Sequence, residues 1–147
     1  MVNGNGPYIR VVCALIEREQ AGPGHAPPLL LAARRKPEQT NGGLWEFPGG
    51  KVHAGEELRE ALHREIREEL DIPITIHRDL HPVRWRYPWI AIELFPFICS
   101  VAAGCRPVPF EHAEVGFFRF PELTALEWAP ADRRIVDRYF SGAGAGP

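Results

Sequence analysis

Runs of β-branched and apolar residues, interrupted by two helical segments, predict an α/β (α+β) sandwich whose sheet is covered on both faces. Two further observations fit that class. The chain has 147 residues, 45% hydrophobic and 24% charged, enough for one core without metal or disulfide staples. No internal repeat or long linker divides it, so residues 1–147 are expected to form a single domain. Its core should run from about residue 8 to about residue 140.

In chain order, YIRVVCALIE (8–17) reads as a strand and QAGPGHAPP (20–28) as a turn or flexible loop. LLLAAR (29–34) is a second strand, KPEQTNGG a loop, and LWEF a short extended piece meeting Pro48, Gly49 and Gly50. Gly55 to Leu70 is the clearest helix. Glu56 and Glu57 stand where carboxylates suit the positive end of the dipole, and Pro73 forbids continuation. Two strand-like runs follow, ITIHRDLHPVRWRY (74–87) and IAIELFPFICSV (90–101), then a Pro-rich turn and the strand VGFFRF (115–120). PADRRIVDRYF (130–140) is helical, with Pro130 in the first turn and Ile135, Val136, Tyr139 and Phe140 on one face. SGAGAGP (141–147) reads as a disordered tail.

The bulk charge narrows the function classes. A net charge of -2 offers no basic excess for a long nucleic-acid footprint, though a small anionic ligand needs only a few local cations. No run approaches the roughly 18 apolar residues of a membrane span, and the N-terminus lacks a signal-peptide pattern. Cys13 and Cys99 sit in strand-like runs and Cys105 in a turn, so free thiols in a reducing compartment are expected. The expected location is cytoplasmic.

The helix at 55–70 carries an unusual feature. With Leu58 set to 0°, Leu62, Ile66, Leu70 and Ala61 form an apolar stripe, and Glu69 falls at about 20°, inside it. Glu65 lies at about 340° on its edge and Glu68 at about 280° on the same side. A carboxylate facing a core is costly unless paired or bound to metal. A divalent cation would remove that cost and the mutual repulsion of the three acids, and an all-oxygen site suits magnesium or manganese. The alternative is a solvated charged face tied by Glu60, Arg64 and Glu68 at i,i+4, which leaves Glu69 unexplained.

Gly50 to Ile72 (GKVHAGEELREALHREIREELDI) resembles the Nudix box. Gly50, Glu56, Arg64, Glu65, Ile66, Glu68, Glu69 and Ile72 fall in register with the family pattern. The one departure is Asp71 in place of the final glycine, a left-handed position that Asp tolerates better than most residues. ARRKP, LWEFPGGK and WAPAD look like the MutT-type branch, which hydrolyses (deoxy)nucleoside triphosphates to monophosphate and pyrophosphate. The resemblance implies an α/β/α sandwich around a mixed sheet. It implies Mg2+, with Mn2+ as a substitute, held by Glu65, Glu68, Glu69 and the Gly49 carbonyl. Glu56 would support that site and Arg64 would orient its carboxylates. A further loop glutamate, Glu111 with Glu114 as rival, would act as ligand or base; the plain alternative is an exposed loop carboxylate.

By the same resemblance Arg35 and Lys51 would contact phosphates. Arg34 adjoins Arg35, and since strand neighbours point to opposite faces only one is expected in the cleft. Phe47, Tyr87 and Trp89 are available for a base slot, although aromatics in such a sheet are often core. Asp132 stands where MutT-like enzymes read the base: ionised it suits an exocyclic amino group such as that of cytosine, protonated it suits an oxidised guanine. Its plain alternative is stabilisation of a helix N-terminus. The expected partner is a small nucleotide, with no long nucleic acid and no membrane, and the protein a monomer or homodimer. Competing readings are a Nudix hydrolase of ADP-ribose or another nucleoside diphosphate derivative, and a non-catalytic nucleotide sensor.

Overall fold

The computed structural model describes residues 7–20, 24 and 26–140; the tail expected at 141–147, and residues 21–23 and 25 of the expected loop, lie outside them. Its elements are β1 (Ile9–Arg18), β2 (Leu29–Arg35), β3 (Trp45–Glu46), β4 (Gly49–Lys51), α1 (Leu58–Leu70), β5 (Thr75–Asp79), β6 (Val83–Tyr87), β7 (Ile90–Ser100), β8 (His112–Phe118), α2 (Phe120–Leu123) and α3 (Pro130–Tyr139). The strands join in one mixed sheet. β1 runs parallel to β7, from Ile9 opposite Ile92 to Glu17 opposite Ser100. The other edge of β1 is divided between β4, which meets Val11–Cys13, and β2, which meets Glu17 and Arg18.

Five consecutive buried residues, Val12–Ile16, make β1 the centre of the molecule, as expected of a strand covered on both faces. Alternation sorts its side chains into two cores. Cys13 and Leu15 pack with Trp45, Phe47, Leu123, Ile135 and Val136 beneath α2 and α3. Val12, Ala14 and Ile16 pack with Ala61, Leu62, Ile66 and Leu70 of α1. The sheet is therefore the middle layer of the expected α/β/α sandwich. Burying Leu62, Ile66 and Leu70 completely contributes about 1.5–3 kcal/mol each, which fixes the face that α1 presents.

Several boundaries differ from the sequence reading. The helix starts at Leu58 rather than Gly55, because Gly55 adopts φ +77° and the Glu56 N–H closes a turn onto the His53 carbonyl at 3.0 Å. Glu56 thus precedes the helix. The run 74–87 is two strands, broken where the Leu80 N–H turns to the Pro96 carbonyl and Pro82 offers no donor. The last strand begins earlier, at His112, and Phe120 opens a short helix instead of ending the strand. At the end of α1, Asp71 takes the left-handed conformation expected of it (φ 53°, ψ 44°). Cys13, Cys99 and Cys105 are free thiols, the first two buried.

Candidate active site

The site is built from the contact of β4 with α1. Hydrogen-bonded and non-bonded pairs alternate along an antiparallel ladder. The Ala14 N–H donates to the Pro48 carbonyl (2.9 Å) and the Val52 N–H to the Arg10 carbonyl (3.0 Å). Gly49, paired with Cys13 between them, is therefore a non-bonded position whose N–H and carbonyl point away from β1. Its N–H donates to the Glu69 carboxylate. Both glycines are required by close approach: a Cβ on Gly49 would strike the backbone of Val12, and one on Gly50 would fall on the Glu65 carboxylate.

Arg64 organises the acids. It donates to both oxygens of Glu56 (2.7 and 2.9 Å), to Glu65 (2.8 Å), to Glu68 (3.3 Å) and to the Lys51 carbonyl (3.0 Å). That fork holds the Glu56 carboxyl down at about 2, helped by the His53 N–H. Burial pushes the Glu65 carboxyl up against the opposing pull of Arg64. Glu68 is half exposed.

Glu69 behaves differently. It is 5% exposed, and its Oε2 has no hydrogen-bond partner. Burial, reinforced by the charges of Glu46, Glu65 and Glu111, raises its pKa to about 9. Around it stand groups that the sequence reading did not single out. His112, buried on β8, places its Nε2 at 2.9 Å from Glu46 and 3.9 Å from Glu69 Oε2. Glu46 also accepts from Arg35 (3.1 and 3.3 Å). The signal for Glu46 was present: alternation puts it on the face opposite Trp45 and Phe47. His112 carried no such signal.

Among the described residues, no three His, Cys, Asp or Glu side chains are grouped closely enough to hold a metal ion as they stand. Glu65 and Glu68 both accept from Arg64 Nη1, a point that Glu69 does not share. The chemistry of the donors nevertheless fits a cation. An orphaned carboxylate oxygen, facing other acids in a buried setting, is what a divalent ion would satisfy. Glu111 acts electrostatically on both Glu65 and Glu69, whereas Glu114 pairs with Arg34 at 3.8 Å.

Next to this cluster lies a cavity of about 370 Å³ whose walls include Arg35, Glu46, Phe47, Lys51, Tyr87 and Asp132. It brings together the five residues expected to bind substrate. Of the two arginines, Arg35 faces the cavity, and Arg34 turns to the Gly43 carbonyl and Glu114. Arg35 is not an unpaired cation, since Glu46 and Thr40 hold its guanidinium. Asp132 is buried and accepts the Phe47 N–H at 2.9 Å. Burial, then the charge of Glu46, pushes its carboxyl well above the usual range. Phe47 and Tyr87 form wall rather than open surface, at 3% and 9% exposure.

Carboxylates gathered against a glycine strand, beside a cleft whose walls carry Arg35, Lys51 and the buried Asp132, make an arrangement suited to an anionic ligand. Residues 7–139 match the family model described as NUDIX domain, and the chain belongs to the Nudix hydrolase family. Members of that family generally use divalent metals. The chain is 46% identical to the CTP pyrophosphohydrolase of Escherichia coli (strain K12) over 68 residues, 46% of this chain and 44% of that protein. It is 31% identical to the 8-oxo-dGTP diphosphatase of Buchnera aphidicola subsp. Acyrthosiphon pisum (strain APS) over 111 residues, 73% of this chain and 89% of that one. Among solved structures, the E. coli ORF135 protein superimposes with TM-score 0.72 at 29% identity, covering 93% of this chain and 91% of that one. The MutT protein from Methanosarcina mazei Go1 shares the fold, with TM-score 0.74, 24% identity and coverage of 92% and 95%. Among the described residues no helix is long and apolar enough to cross a membrane.

Proposed function

We propose that the protein hydrolyses a (deoxy)nucleoside triphosphate to the monophosphate and pyrophosphate with Mg2+, in MutT-like sanitation of the nucleotide pool. The candidate substrates are 8-oxo-dGTP and (d)CTP or a modified dCTP. The observation that carries this reading is the orphaned oxygen of Glu69, whose carboxylate takes the N–H of Gly49, a residue in the wall of a nucleotide-sized cavity. Glu65, Glu68, Glu69 and the Gly49 carbonyl would hold the cation, with Glu56 supporting them through Arg64. A divalent ion there supplies charge neutralisation on the triphosphate and lowers the pKa of the attacking water.

The chain's own groups do the rest. Glu111, exposed and electrostatically felt by Glu65 and Glu69, would take a proton from water. Lys51 and Arg35 would meet phosphate oxygens as the bond to pyrophosphate breaks, with Glu46 and Thr40 fixing the arginine through all three of its nitrogens. Asp132, whose carboxyl burial pushes toward its neutral form, accepts the Phe47 N–H with Oδ1, and its other oxygen would read the base, as a donor when protonated and as an acceptor when ionised.

The test is a panel of 8-oxo-dGTP, dGTP, dCTP, CTP, 5-methyl-dCTP and ADP-ribose, with Mg2+ and with excess chelator. Pyrophosphate release from a triphosphate, stopped by chelator, is expected. AMP from ADP-ribose with no turnover of any triphosphate would replace this reading with the diphosphate-derivative one. Nucleotide binding without any turnover would replace it with a sensor.

A further inference from the structure

Trp89 sits at the tip of the β6–β7 hairpin, in a two-residue connection closed by Tyr87 opposite Ile90. Tight hairpin turns of this length favour Gly, Asn or Asp, and neither Pro88 nor Trp89 has the positive φ those turns use. Turn chemistry therefore does not ask for an indole here. Core packing does not either, since Trp89 is 47% exposed. It nonetheless lines the same cavity as Asp132.

Three aromatics border that cavity, and two of them are already covered. Phe47 is buried against Trp128, with ring centroids 4.6 Å apart. Tyr87 carries Trp89 on its ring at 4.9 Å and 12°, and its hydroxyl accepts the Ala131 N–H at 3.0 Å. The Tyr87 ring is thus pinned to the start of α3, next to Asp132, and Trp89 is stacked on a fixed support. Its indole is the aromatic of the three with substantial open surface.

We propose that Trp89 is the stacking platform for the base of the bound nucleotide, setting affinity for the base while Asp132 sets its identity. This rests on the nucleotide-hydrolase reading above. A π-face is common to every base, so stacking supplies affinity with little sequence preference, whereas edge hydrogen bonds discriminate. Trp89→Ala should therefore raise KM about tenfold or more for every nucleotide turned over, with their ratios kept within about threefold. Trp89→Phe should recover much of the loss.

A binding arm needs no turnover. Intrinsic fluorescence is titrated with nucleoside monophosphates and with inorganic tripolyphosphate, in wild type and in Trp89→Phe, after thermal melts confirm that both are folded. Quenching by the nucleotides alone, lost in Trp89→Phe, is the expected result. Quenching that persists in Trp89→Phe, or a KM unchanged in Trp89→Ala, overturns the platform while leaving the hydrolase reading intact. Should wild type cleave no triphosphate, that reading fails and the fluorescence arm alone decides the role of Trp89.

Discussion

Replacing Glu69 with Gln tests the acidic helix through stability as well as catalysis. In the metal-free protein the Glu69 pKa is about 9, against 4.5 for the free side chain. At pH 7.5 the folded state keeps this carboxyl neutral, while the unfolded chain ionises it. At 1.36 kcal/mol per unit over the 3 units from 4.5 to 7.5, the folded state is disfavoured by at most about 4 kcal/mol. The sign follows from proton uptake. A raised folded pKa gives a contribution complete below about 4.5 and lost as pH climbs toward 9. Gln is isosteric and does not titrate, so Glu69→Gln should gain on wild type as pH rises. Between pH 5.5 and 7.5 the gap should widen by about 3 kcal/mol at most. Urea denaturation in EDTA at three pH values measures it. Adding Mg2+ should then stabilise wild type but not the variant, which should also lose metal-dependent turnover. A stability gap independent of pH, or a variant less stable than wild type at pH 7.5, would refute the argument from the orphaned oxygen.

The glycines should separate fold from chemistry. Gly50→Ala displaces the end of a flexible glutamate, so turnover should fall at least about tenfold with the melting temperature little changed, whereas Gly49→Ala meets the Val12 backbone and should unfold the protein at far lower denaturant. Equal effects from both on stability would show that Glu65 is not the group displaced. Arg64→Lys keeps the charge but loses the fork on Glu56 and Glu65, and should reduce metal affinity or kcat/KM by about 10–100-fold; wild-type values would remove Arg64 from the site. Asp132→Asn retains an acceptor for the Phe47 N–H, so its melt should stay close to wild type while the kcat/KM ratio between guanine and cytosine triphosphates moves by about tenfold. An unchanged ratio would mean that Asp132 supports α3 and reads nothing.

How far the sequence foretold this molecule depended on the distance over which each feature is encoded. Periodicity along ten or so residues placed the strands, the apolar stripe of α1 and the misfit Glu69 within it, and the register from Gly50 to Ile72 identified Arg64 and its carboxylates. Asp71 was legible for the same reason, because a helix terminus is a local event. The cleft is not local. Phe47 meets Asp132 across 85 positions and Glu46 meets His112 across 66, and no period in the chain records such pairs. Packing also settled what side-chain type alone left open. It turned Arg35 inward and Arg34 outward, drew Glu111 to the acids and Glu114 away, and closed Phe47 and Tyr87 while leaving Trp89 exposed. Local pattern specifies which face a residue occupies; what stands opposite that face is specified by strands and helices that arrive from elsewhere in the chain.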